Sequence, residues 1–142
     1  MPNHDEHYVL AVCDEVLGSE GLRQHRFDWL RGDASAKRPA GTRLPVDSFW
    51  PELGLVVEFH ERQHTEAVPF FDKLSRMTVS GVHRGEQRRL YDERRRELIP
   101  RHGLTLVEIP IAAFTVRQHH IVPNREEDRA VVARYLSAFT GG

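Results

Sequence analysis

The sequence predicts an α/β protein, a mixed central sheet flanked by helices in a single domain over residues 1–142. Three observations carry that prediction. Apolar residues at helical spacing bracket the chain at 5–17 and 125–139. β-favouring runs stand at 44–50, 55–59 and 104–109, and a polar helix at 86–99 falls between the second and third of them. Helices and strands therefore interleave rather than segregate, which is the pattern of a layered α/β sheet. At 142 residues the chain is long enough for one substantial core and too short for two.

The first helix places Val9, Leu10, Val12, Cys13, Val16 and Leu17 on one stripe, and Gly18 and Gly21 close it. Cys13 lies on that stripe as a core residue. Residues 22–30 form an extended segment with Phe27 and Trp29 pointing the same way, and 31–43 is a polar surface loop broken by Gly and Pro. Strands at 44–50 and 55–59 are joined by Pro51, Glu52 and Gly54 into a hairpin. Pro69, Gly81 and Gly85 argue against one long element over residues 65–85. The helix at 86–99 buries a short stripe of Leu90, Leu98 and Ile99, and Pro100 with Gly103 ends it. After the strand 104–109, His119 and His120 fall in a surface connector, and the last helix turns Val131, Val132, Tyr135, Leu136 and Phe139 inward.

Composition narrows the function classes. A formal net charge of −1 gives no global attraction to nucleic acid, so such an argument must be local. One cysteine excludes an internal disulfide and a multi-cysteine zinc site, and fits a reducing compartment. No run of about 18 apolar residues is present, nor a basic-then-apolar leader. A cytoplasmic protein away from the membrane is expected.

The chemistry concentrates in residues 44–64, LPVDSFWPELGLVVEFHERQH. Side chains alternate along a strand, so Glu58 and His60 share a face while Asp47 can stand beside Glu58 across the hairpin. Two carboxylates meeting at a sheet surface repel, and a divalent cation is the common remedy. The same stretch spells H-E-x-x-H at residues 60–64, a zinc-peptidase signature whose two histidines must lie one helical turn apart. The β-favouring run before it and Arg62 within it speak against that helix.

Asp47 precedes Glu58 by eleven residues, Glu58 precedes His64 by six, and His64 precedes Asp92 by 28. With Pro45-Val46-Asp47, Val57-Glu58, Gln63-His64, Asp92 and its following arginines, and Gly103-Leu104 before Leu106-Val107-Glu108-Ile109, the chain resembles the PD-(D/E)XK nuclease superfamily. Within it, the resemblance is to very-short-patch repair endonucleases and related homing-type enzymes with an E-D-x-H-D constellation. It implies a restriction-endonuclease-like fold, a Mg2+ (or Mn2+) cofactor on Asp47 and Glu58, and DNA, double-stranded, as substrate. It further implies His64 as general base, Asp92 as the group that orients it, and Glu6 as the acid from the first helix, with Asp14 and Glu15 as alternatives. The superfamily's usual lysine is replaced by His60, and the single cysteine cannot supply the structural zinc site of some relatives.

From Ser80 to His102 seven arginines face four acids, so this segment is basic in an otherwise acidic chain. Arginine suits bidentate grip on phosphate, and Arg84, Arg88, Arg89, Arg95 and Arg96, with Gln63, are the expected nucleic-acid contacts. Specificity is expected from the loops 31–43 and 65–84 or from a protein partner. A nuclease-like fold that binds nucleic acid or a partner without cutting is the alternative. Asp47→Ala is expected to stop cleavage and leave the fold intact, since it relieves repulsion.

Overall fold

The computed structural model describes residues 4–61 and 79–140, with residues 79–84 described for their backbone. The elements run α1 (His4–Leu17), β1 (Leu22–Arg31), β2 (Arg43–Trp50), β3 (Leu55–His60), α2 (Val79–Arg101), β4 (Thr105–Pro110), β5 (Val116–Arg117), β6 (His120–Ile121) and α3 (Arg125–Tyr135). One sheet has the order β1-β2-β3-β4, and β5 with β6 forms a separate ribbon. The first two pairings are antiparallel and β3 with β4 is parallel, so the sheet is mixed as the alternation of segments predicts. A parallel neighbour needs a crossover, and α2 lies on that path.

Each sheet face has its own core. On one, Val9, Leu10, Val12 and Cys13 of α1 and Val132 of α3, with Leu136 just beyond it, pack on Leu55, Val57, Phe59 and Ile109. On the other, Ile99 of α2 closes over Leu30, Leu44, Val46 and Val56. Cys13 is fully buried, and burial pushes its thiol up to about 12, which makes it an inert core group. The β2–β3 connection is a single 3-10 turn, Pro51–Leu53, followed by Gly54 at φ 59°. That left-handed position is cheap for glycine and costly for other residues.

Several boundaries differ from the sequence reading. Helix α2 begins at Val79, runs through Gly81 and Gly85, and includes Pro100 in its last turn. Proline there forfeits one helical hydrogen bond, which matters little two residues before the helix stops. Burial of Ile99 and the packing of Tyr91 and Leu98 hold the helix despite its glycines. Helix α3 stops at Tyr135, yet Leu136 and Phe139 still reach the core through the turn that follows. The stretch expected to be a connector at His119 and His120 is part of the β5–β6 ribbon. No described helix is long and apolar enough to cross a membrane.

Candidate active site

The site begins where the β2–β3 ladder opens. Trp50 pairs with Leu55, Phe49 with Val56 and Ser48 with Val57, and there the backbone pairing stops. One step further the side chains take over. The Asp47 N–H donates to Glu58 Oε2 at 2.6 Å, and the Phe59 N–H donates to Asp47 Oδ2 at 2.7 Å. Each carboxylate thus satisfies a donor that the opened ladder would leave bare.

Strand β2 breaks its alternation at the same point. Leu44 and Val46 pack on the α2 side, whereas Trp50 packs on the α1 side, so the regular period fails between them. In β1, Arg23 pairs with Ser48 and His25 with Val46, which sets Gln24 opposite Asp47. Gln24 has φ 50°, a strained backbone for a residue with a Cβ, and its side chain hydrogen-bonds Asp47. Both strands bend around one carboxylate.

Burial and crowding set the charges. Glu58 is 6% exposed, and burial, then the charge of Asp47, push its carboxyl up to about 8 against the opposing pull of Arg95. Glu6 reaches in from the first turn of α1 and is pushed up to about 7 by burial, then by the charges of Asp47 and Glu61 and a hydrogen bond with Asp47. Asp47 is also raised, by burial first, with the Phe59 N–H, Arg95, His60 and Gln24 holding it down. Glu6 and Glu58 therefore resist full ionisation near neutral pH, and Asp47 between them is pushed in the same direction. Added positive charge would relieve all three.

Helix α2 supplies part of that charge. The Arg95 side chain, 14% exposed, lies 3.4 Å from Glu58 Oε1, 3.1 Å from Asp92 Oδ1 and 3.1 Å from the Pro45 carbonyl oxygen. It ties α2 to both acid-bearing strands. Beside it, His60 Nε2 stands 2.9 Å from Glu108 Oε1, and Arg96 grips both oxygens of Glu108 from Nε at 2.9 and 3.0 Å. Burial raises Glu108, but the hydrogen bond and charge of Arg96 and the nearby His60 outweigh it and hold its carboxyl below the ordinary value.

Of the residues singled out from sequence, Glu6, Asp47, Glu58, His60 and Asp92 come together here. Asp14 bonds Arg23 and the Gly21 N–H, and Glu15 pairs with Arg125 and Arg129, so Glu6 is the α1 acid that reaches the cluster. His64 and Gln63 lie outside the described residues. Among the expected nucleic-acid contacts, Arg88 and Arg89 are exposed, Arg89 pairing with Glu86 and Glu93. Arg95 faces inward to the acids, Arg96 is exposed and pairs with Glu108, and the side chain of Arg84 lies outside the description. Sequence reading missed Gln24 and the Arg96–Glu108–His60 chain. Gln24 carries no signal without the register that sets it opposite Asp47, whereas Glu108 at an otherwise apolar strand position was a visible one.

Two metal chemistries can be compared with this geometry. His60 closes a strand and Glu61 follows outside any helix, which opposes the helical arrangement that H-E-x-x-H requires for zinc. Among the described residues no group of three or more His, Cys, Asp or Glu side chains is gathered closely enough to cage an ion. Two oxygen donors from adjacent strands, with water and phosphate filling the remaining positions, suit a hard cation such as Mg2+, which rarely uses an all-protein cage.

The chain is similar to two curated viral proteins. It is 29% identical over 98 residues to Uncharacterized protein 307L of Invertebrate iridescent virus 6, covering 69% of this chain and 45% of that protein. Against Uncharacterized protein 033L of Invertebrate iridescent virus 3 it is 29% identical over 83 residues, 58% of this chain and 38% of the other. The chain thus spans less than half the length of either relative. No family model and no solved structure matches it.

Proposed function

We propose that the chain is a metal-dependent DNA endonuclease that hydrolyses phosphodiester bonds, with a restriction-endonuclease-like fold and the E-D-x-H-D residues of the very-short-patch repair group. One observation carries this reading. Asp47 and Glu58, on neighbouring strands, meet where the ladder opens, and with Glu6 they form a half-buried acid cluster short of positive charge. The order helix, three strands, helix, strand supports it, as does a basic helix laid against the acids.

Asp47 and Glu58 would hold Mg2+ or Mn2+, and such a cation, when bound, supplies charge stabilisation at the phosphate and a more acidic water. Arg95 fixes Glu58 and fastens α2 over it. Glu6, carrying a proton through part of the neutral range, keeps its side of Asp47 from excess negative charge. His64 is assigned to take the proton of the attacking water and Asp92 to orient that histidine. Arg88 and Arg89, exposed on α2, would hold the substrate backbone. The same reading puts the protein in the reducing cytoplasm.

Supercoiled plasmid incubated with the protein in Mg2+, Mn2+, Zn2+ or EDTA tests this directly. Nicking or linearisation is expected in Mg2+ or Mn2+ and none in EDTA. Duplex binding without cleavage in any metal would replace the nuclease with a binding module, and zinc-dependent peptide hydrolysis would replace it with a peptidase.

A further inference from the structure

Three non-glycine residues among those described have positive φ: Gln24 at 50°, Gln118 at 52° and His119 at 69°. Gln24 is explained by Asp47. The other two make up the whole turn between β5 and β6, where Arg117 pairs with His120 and Val116 with Ile121, and the Val122 N–H donates to the Thr115 carbonyl at 2.8 Å. A two-residue turn with both φ positive is the type I′ geometry, which Asn-Gly fits with least strain. Gln-His fits it poorly, and strain kept in an exposed turn points to a use for the side chains.

Those side chains face solvent. Arg117, Gln118 and His119 are exposed, and none of their side chains has a hydrogen-bond or ion-pair partner among the described residues. The root of the ribbon is fixed. Ile121 is buried in the α1 core with Phe114, its N–H donates to Asp5 Oδ1 at 3.2 Å, and His120 Nδ1 lies 3.1 Å from Asp5 Oδ2. The root also stands at the acid end of the sheet. His60 is in register with Pro110, so the chain leaves β4 beside the end of β3, and Asp5 immediately precedes Glu6, which contacts Asp47.

We infer that the β5–β6 turn is the base-reading element of the protein, with Arg117, Gln118 and His119 entering the major groove of duplex DNA next to the acid cluster. This rests on the proposed nuclease reading and adds where its sequence preference comes from. The major groove admits a two-stranded ribbon, Arg reads the O6 and N7 of guanine, and Gln reads the N6 and N7 of adenine. A tip held out on a rigid root loses little freedom on binding.

The test compares wild type with the triple variant Arg117→Ala, Gln118→Gly, His119→Gly, whose Gly-Gly turn suits the backbone and carries no base-reading side chain. Duplexes bound from a random-sequence pool are sequenced with Ca2+ in place of Mg2+, and plasmid nicking is followed separately in Mg2+. Wild type is expected to enrich a preferred sequence, and the variant to lose about tenfold of that preference per position read, with a Tm close to that of wild type. An unchanged preference in the variant, or no preference in wild type, overturns the inference even if nicking persists. Preference lost in the variant without nicking by either protein upholds the ribbon and sinks the nuclease reading. Absence of duplex binding by wild type overturns both.

Discussion

The two ends of the β2–β3 hairpin are a few residues apart and obey different rules. At the closed end, Trp50 pairs with Leu55 beside a 3-10 turn, both side chains are buried, and the ladder is complete. At the open end, Asp47 and Glu58 stand where the ladder stops and bond each other's backbone with their carboxylates. One end buys stability from apolar burial. The other accepts crowded negative charge, tolerable because Arg95 and backbone donors surround it, and that residual demand for positive charge is what a catalytic cation would meet.

The contrast can be broken most strongly at the closed end. Leu55 is fully buried, so Leu55→Ala is expected to cost about 3 kcal/mol in urea unfolding, with little change in the activity of the folded fraction. At the open end the effect has the opposite sign. In the folded, metal-free protein Glu58 keeps its proton to about pH 8, while in the unfolded chain it ionises near the ordinary glutamate value of 4.5. Its stabilising contribution is therefore full below about pH 4.5 and is lost as pH rises toward 8. Glu58→Gln retains an acceptor for the Asp47 N–H and removes that loss. Measured in EDTA, the variant should match wild type near pH 4 and exceed it by a margin that widens as pH rises toward 8, with Mg2+ narrowing the gap by stabilising wild type.

Asp47 separates the two effects within one residue. Asp47→Ala, expected from sequence to leave the fold untouched, would strip the acceptor from the buried Phe59 N–H and is now expected to cost about 1 kcal/mol net. Asp47→Asn keeps the acceptor and should unfold at or above the wild-type midpoint. Far from either end, the exposed Arg89–Glu86 pair should contribute almost nothing. Glu86→Ala is expected to leave the urea midpoint unchanged.

The sequence made some of this legible and hid the rest for physical reasons. Period-2 patterning and the Pro51–Gly54 turn located the hairpin, and the eleven-residue interval placed Asp47 beside Glu58, because strand register follows from the turn. Helix α2 was read short, since glycine and proline weigh heavily in local propensity and the burial of Ile99 is a tertiary fact. Gln118 and His119 carry no turn signature at all. Their strain appears only in the backbone, and so the β5–β6 turn read as a connector.

The most direct measurement is plasmid nicking in Mg2+ by wild type and Asp47→Asn, both shown folded by urea unfolding. Wild type should nick and Asp47→Asn should be slower by at least about a thousandfold, equivalent to ~4 kcal/mol of lost transition-state stabilisation. Cleavage by Asp47→Asn at the wild-type rate would contradict the assignment of the open hairpin end as the catalytic centre.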